Sequence, residues 1–468
     1  MTDSAVAELC RLTVRAPSVS VDLAVPADVP VADLLPTLLR YVGEEAEEAG
    51  LDHAGWVLQR LGDAPLDEET TLARAGLADG DVLYLRAHTE ALPEARLDDL
   101  VDGIADTAAR RLHTWHPEAA RGLLVGTTVA TVVAALVLVF RPGVTGSGSF
   151  KAACAAVVGV LLLAGAGTAS RAVGDRLSAT ALGLLVAPCL ALAGWVLPGG
   201  DLTGPDAAQV AGARLLAAGA AGAGGAVLAL AATAVGAPAL LGTAVVSVAI
   251  AISGALIGYS GLDVQAAVAL VATVFALAAG TVAPFAFKLA GMRMPALPSS
   301  ASQLQEGIEP YAGDEVAERT ELAGRWVTAL FAVTGVIAAA ALAVLAHHPD
   351  LPEVLTSVAL SLLLLLHSRG LVHIGQRLTL AVPGIWGLLL LARAWAVDSD
   401  GDGRLVVFAV LLGAAAALVI AAWTVPGRRM LPYWGRAAEI AHTGLAVALL
   451  PLSLWVAGLF GWLRGLFG

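Results

Sequence analysis

Few residues in this chain have the type and spacing for chemistry. Asp398-Ser-Asp400-Gly-Asp402-Gly403 matches the first half of a calcium-binding loop, with carboxylates at alternate positions and a glycine at the turn. Such a loop needs a bidentate Glu at its twelfth position. That position is Ala409, within an apolar stretch, so the segment is expected to be an acidic turn. His347-His348, His367, His373 and His442 have no HExxH-type spacing and fall at the borders of apolar runs. The run Gly219-Ala-Ala-Gly222-Ala-Gly224-Gly225 lies inside an apolar stretch, where small residues serve close helix packing rather than phosphate binding. Cys10, Cys154 and Cys189 are isolated and suggest neither a disulfide framework nor a metal site. No P-loop, nucleophile elbow or paired intramembrane carboxylates appear. The expectation is a non-enzyme: no catalytic residue, no cofactor-binding residue, no metal ligand.

The elements that carry these residues are mostly apolar. Of 468 residues, 58% are hydrophobic and only 14% charged, with 51 glycines; mean hydropathy is +0.79. An ordinary soluble domain is about 25% charged, so most of this chain is not in water. The formal net charge of −12 argues against a nucleic-acid partner. No basic n-region precedes an apolar core at the start, so no cleavable signal peptide is expected.

From residue 122 to 468 the sequence predicts an all-α polytopic membrane domain of about eleven helices. The expected spans are 122–140, 152–169, 177–197, 215–235, 237–258, 266–287, 326–346, 351–366, 378–396, 405–423 and 440–460. The eighth is the shortest, and Arg369 lies deep only if that span runs on toward Ile374. Lys288, Asp263, Arg214, Arg393 and Glu439 are expected at span ends, where long side chains reach the interface. Pro238, Pro284, Pro383 and Pro451 are read as kinks or helix ends. With the N-terminus inside, fourteen Lys or Arg flank the cytoplasmic ends, from Arg110 to Arg436, against six outside. Positive charge gathers on the cytoplasmic side of membrane proteins. An odd count follows, with the C-terminus extracytoplasmic. Residues 288–325 form the one long internal loop, cytoplasmic in this reading and acidic in its second half.

Residues 1–90 read as a small cytoplasmic α+β domain. Alternating runs at Cys10–Ala16 and Val19–Val25 predict a hairpin, and Val31–Ala49 a helix whose stripe is Val31, Leu34, Leu35, Leu38, Leu39 and Val42. Trp56–Leu61 and Val82–Arg86 are further strands. Hairpin, helix, strand, turn, strand is the β-grasp order. Residues 91–121 are expected to be a linker helix with a stripe from Leu97 to Leu112, packed on a partner rather than lying on the membrane.

Thr71–Leu85 (TLARAGLADGDVLYL) resembles the closing segment of ubiquitin-like domains, although no di-glycine tail follows. Leu289-Ala-Gly-Met-Arg293-Met-Pro295-Ala-Leu-Pro298 is similar to the Pro-rich start of the cytoplasmic loop in EccD, the integral membrane component of actinobacterial type VII (ESX) secretion systems. A YukD-like ubiquitin head, a linker helix and about eleven spans together resemble that family over essentially the whole chain. The resemblance implies a structural subunit of an inner (plasma) membrane secretion complex. It implies pairing as a homodimer around a lipid-lined space and assembly with the EccB, EccC and EccE components, EccC being the ATPase. It brings no catalytic residues. Docking surfaces are expected on the head, the linker helix and the 288–325 loop. The alternative from residues alone is a multispan secondary transporter with a regulatory ubiquitin-like domain; it calls for an inverted repeat and mid-membrane polar groups.

Overall fold

A computed structural model describes residues 9–16, 19–42, 56–61, 63–87, 117–141, 147–292, 313–347, 349–424 and 432–467. The chain divides into two compact units, Met1–His116 and Pro117–Gly468.

In the first unit, among the described residues, four strands form one sheet: β1 (Leu9–Arg15), β2 (Ser20–Pro26), β3 (Trp56–Arg60) and β4 (Asp81–Ala87), in the order β2-β1-β4-β3. The outer pairs are antiparallel, and β1 runs parallel to β4, with Leu12 opposite Asp81 and Arg15 opposite Tyr84. Alternation decides which side faces the core: Cys10, Leu12 and Val14 on β1 and Leu83 and Leu85 on β4 are buried. Helix α1 (Val31–Val42) covers that side with Val31, Leu34 and Leu38, as the stripe requires. This is the ubiquitin-like arrangement expected. The expected continuation of α1 to Ala49, and residues 91–116 of the linker helix, lie outside the described residues.

Eleven helices among the described residues of the second unit are long and apolar enough to cross a membrane. In order they are α2 (Pro117–Phe140), α3 (Gly148–Thr168, closed by a π-turn at Ala169–Val173), α4 (Arg176–Val196), α5 (Ala207–Thr233), α6 (Ala237–Ser260) and α7 (Val264–Ala278). A 3-10 turn joins α7 to the short α8 (Val282–Leu289), completing the sixth span. Then come α9 (Gly313–Leu345), α10 (Leu351–Ser368), α11 (Ile374–Asp398), α12 (Gly401–Thr424) and α13 (Pro432–Val456), followed by the short α14 (Leu459–Phe467). Helices α3 to α6 pack in sequence as neighbours, while α7, α9, α10, α11 and α13 build a second cluster around Phe331, Leu342, Leu360, Leu364, Leu380 and Leu449.

Several expected boundaries shift; the eleventh span, for one, starts at Pro432 rather than Ile440. The 288–325 loop is helical at both ends, because α8 runs to Leu289 and α9 starts at Gly313. From Gly313 its acidic end is helix, where Glu315 pairs with Arg319, and Glu321 with Arg325, each four residues on. The fourth span starts at Ala207 rather than Leu215, placing Arg214 two turns inside α5. The last span ends at Val456 rather than Phe460, because Gly458 takes a left-handed φ of 73° and closes the helix before α14 begins.

Candidate functional surfaces

Small residues set how the spans meet. A Cβ on Gly219 would overlap the backbone of Ser247 and Ala251 across the α5–α6 contact, and one on Gly254 would overlap Leu216. Gly222 and Gly225 likewise meet Ser247, Leu190 and Ala187, whereas Gly224 faces open space. Three of the four glycines in that run therefore pack helix against helix, as expected of a stripe without a nucleotide role. Gly335 on α9 similarly sits against the carbonyl of Thr379 on α11.

Two arginines of the membrane body reach backbone carbonyls at helix ends. From inside α5, Arg214 reaches back: its Nε donates to the Gly199 carbonyl at 3.0 Å and its guanidinium to Gly200 at 2.5 Å, capping the turn after α4. Arg171 donates in the same way to the carbonyls of Ala231 and Ala232 at the end of α5. Arg369 caps the end of α10 and is exposed. Lys288 and Asp263 lie at helix ends as expected, whereas Arg393 is five residues before the end of α11 and Glu439 seven residues into α13; all four are exposed. Asp175 caps α4, accepting from the backbone of Leu177 and Ser178 and from the Ser178 hydroxyl; those Ser178 bonds hold its carboxyl below the usual range. Pro238 lies in the first turn of α6, and Pro383 and Pro451 lie inside α11 and α13.

At Asp398–Gly403, Asp398 ends α11, and the Asp400 carboxylate accepts from the Gly403 N–H at 2.9 Å as α12 begins. The segment is a helix-to-helix turn held by its own Asp. In the head, burial and then Asp79 and Asp81 push the Cys10 thiol up, away from reactivity.

The sequence missed two groupings. His367 on α10 and His442 on α13 face each other, Nδ1 to Nε2 at 3.3 Å, with Phe331 edge-on to His367. Glu353, Ser357 and Ser361 line one face of α10; Oε2 of Glu353 and both serine hydroxyls are buried without a hydrogen-bond partner. The four-residue spacing was visible, but only the packing of α10 against its neighbours shows that this face is inward.

These features define a class: a multi-pass membrane protein with a ubiquitin-like head and a helical body whose conspicuous side chains serve packing and capping. Residues 119–466 match the family described as EccD-like transmembrane domain, and residues 9–85 the family described as protein YukD of the WXG100 protein secretion system. The chain belongs to the EccD family. It is 29% identical to the ESX-4 secretion system protein eccD4 of Mycobacterium tuberculosis, over 98% of this chain and 97% of that protein. It is also 28% identical to the ESX-3 secretion system protein EccD3 of the same organism, over 36% of each. The fold is similar to protomer 1 of the ESX-3 core complex, with TM-score 0.58 and 20% identity over 97% of this chain and 100% of that one. It is similar to a chain of the MycP5-free ESX-5 inner membrane complex, with TM-score 0.55 and 22% identity over 88% and 99%.

Proposed function

We propose that this chain is a structural membrane subunit of a type VII (ESX) secretion complex, not an enzyme. It scaffolds the inner-membrane channel, and its cytoplasmic head docks the secretion ATPase. The observation that carries this reading is the joining of a ubiquitin-like head to eleven candidate spans in a chain related to eccD4 along nearly its whole length. An odd number of spans puts the head and residue 468 on opposite sides, and the arginine bias favours the head inside. The partners are EccB, the EccC ATPase and EccE, with a second copy of this chain completing a homodimer among membrane lipids. The domains in this reading are residues 1–90, the linker 91–121 and the membrane body 122–468, with the segment between Lys288 and Arg325 as a second cytoplasmic contact. Support for a partnered body comes from α2 and α12, in which few residues are buried within the chain.

Two measurements test this. Purification from native membranes in mild detergent should recover an ATPase subunit and at least one other membrane subunit; recovery of this chain alone refutes the role. Reporter fusions at Met1 and Gly468 should report opposite compartments, and the same compartment refutes the topology.

A further inference from the structure

We propose that a lateral groove in the membrane body seats one glycerophospholipid, with its acyl chains in the groove and its phosphate at Arg325. The groove encloses about 1020 Å³ between α6 and α9 and is closed at one end by the turn before α6 and the start of α11. Its walls are apolar and largely small: Ala239, Gly242 and Val246 on α6, and Ala329, Ala332 and Val336 on α9. Polar groups gather at one end, where Glu321, Arg325, His373 and Gln376 form the rim.

Length separates the candidate occupants. Beyond the rim formed by Thr320 to Arg325, the apolar part of the groove follows α9 to Val336, a rise of about 16 Å at the helical repeat. That is roughly half of a hydrocarbon core of about 30 Å. A partner's spanning helix crosses the whole core and needs a groove twice as long. An acyl chain enters at the interface and ends at mid-membrane, as this groove does. It opens sideways among lipid-exposed residues such as Val336, which is 53% exposed, so a lipid from the surrounding leaflet can enter.

The rim suits a phosphodiester. Arg325 spends one donor on Glu321 at 2.6 Å, and its side chain is 65% exposed, leaving other guanidinium N–H groups available. Helices α6 and α11 both begin at the rim, at Gly236 and His373, with no side-chain cap on their first N–H groups. Those ends add positive potential at the same spot. The groove belongs to a single chain, so the proposal stands or falls without any secretion partner.

The test uses the full chain in vesicles of phosphatidylethanolamine and phosphatidylglycerol, with a trace of phosphatidylcholine carrying an acyl-chain diazirine. After irradiation and digestion, labels should concentrate on residues 239–246 and 329–336 above those on α12, which lies outside the groove. Ala332→Phe, which fills the groove, should abolish the groove labels and leave α12 labelling unchanged; Ala329→Leu provides a milder filling should the first variant fail to fold. Arg325→Gln should lower groove labelling. Groove labelling no higher than that of α12, or unchanged by both filling variants, overturns the proposal. So does a groove occupied in native membranes by another polypeptide, read as a protein cross-link in place of lipid.

Discussion

Asp81 shows how a single carboxylate ties the head together. It accepts from the Ala78 N–H at 2.8 Å and from the Arg60 guanidinium, closing the Asp79–Asp81 turn that launches β4. The Ala78 bond and then Arg60, against some opposing burial, hold its carboxyl below the usual range. A depressed folded-state value adds stability that is fully present above the unfolded value of about 3.9 and is lost as pH falls through the folded one. Asp81→Asn should therefore weaken amide-exchange protection of β4 in the full chain at neutral pH. The difference from the parent should close in acid below the ordinary Asp range, and a pH-independent difference contradicts this account. Arg214 acts similarly in the membrane body. Arg214→Gln removes two carbonyl contacts and should cost about 1 kcal/mol, read as a lower unfolding temperature of the detergent-solubilised chain. The sequence placed Arg214 at a helix end because the polar run before Ala207 looked like loop up to the arginine. It could not show the His367–His442 contact at all, since 75 residues separate the partners and only the fold brings α10 beside α13.

At the scale of elements, the helix faces were legible wherever a period was sustained. Val31, Leu34 and Leu38 marked the covered side of α1, and the glycine run marked a close contact. What composition alone could not say is which glycine points where. Gly219→Leu should break the α5–α6 contact, because its side chain would have to displace the backbone of Ser247 and Ala251, so the purified chain should aggregate or unfold at markedly lower temperature. Gly224→Leu, five residues on, meets open space and should leave the unfolding temperature nearly unchanged. Equal effects would mean that the face assignment is wrong. Helix ends were less legible than helix faces. Charge density reads as loop to a hydropathy window, yet in α9 it is carried on helix by (i, i+4) pairs worth a few tenths of a kcal/mol each. Gly458 was the available signal for the break before α14, hidden inside an otherwise continuous apolar run.

At the scale of the whole molecule, the span count and the ubiquitin-like head were both legible, because bilayer length and β-grasp order are coarse signals. Which spans lie uncovered within the chain was not. Helix α12 meets α11 alone among the strongly contacting elements, and among its described residues only Val407 is buried. If the second copy in the proposed homodimer covers this helix, Leu412→Cys or Leu418→Cys, at two of its exposed positions, should form a disulfide-linked dimer in native membranes under mild oxidation. Monomer at both positions would place the pairing surface elsewhere. Helix α9 has a mechanical consequence. Its 33 residues make a rod of about 50 Å, well beyond the thickness of the hydrocarbon layer. Its charged first turns project from the lipid, while Gly335 is wedged against α11. Because the helix is unbroken between them, the charged start at Gly313 and the α9–α11 seam belong to one continuous element.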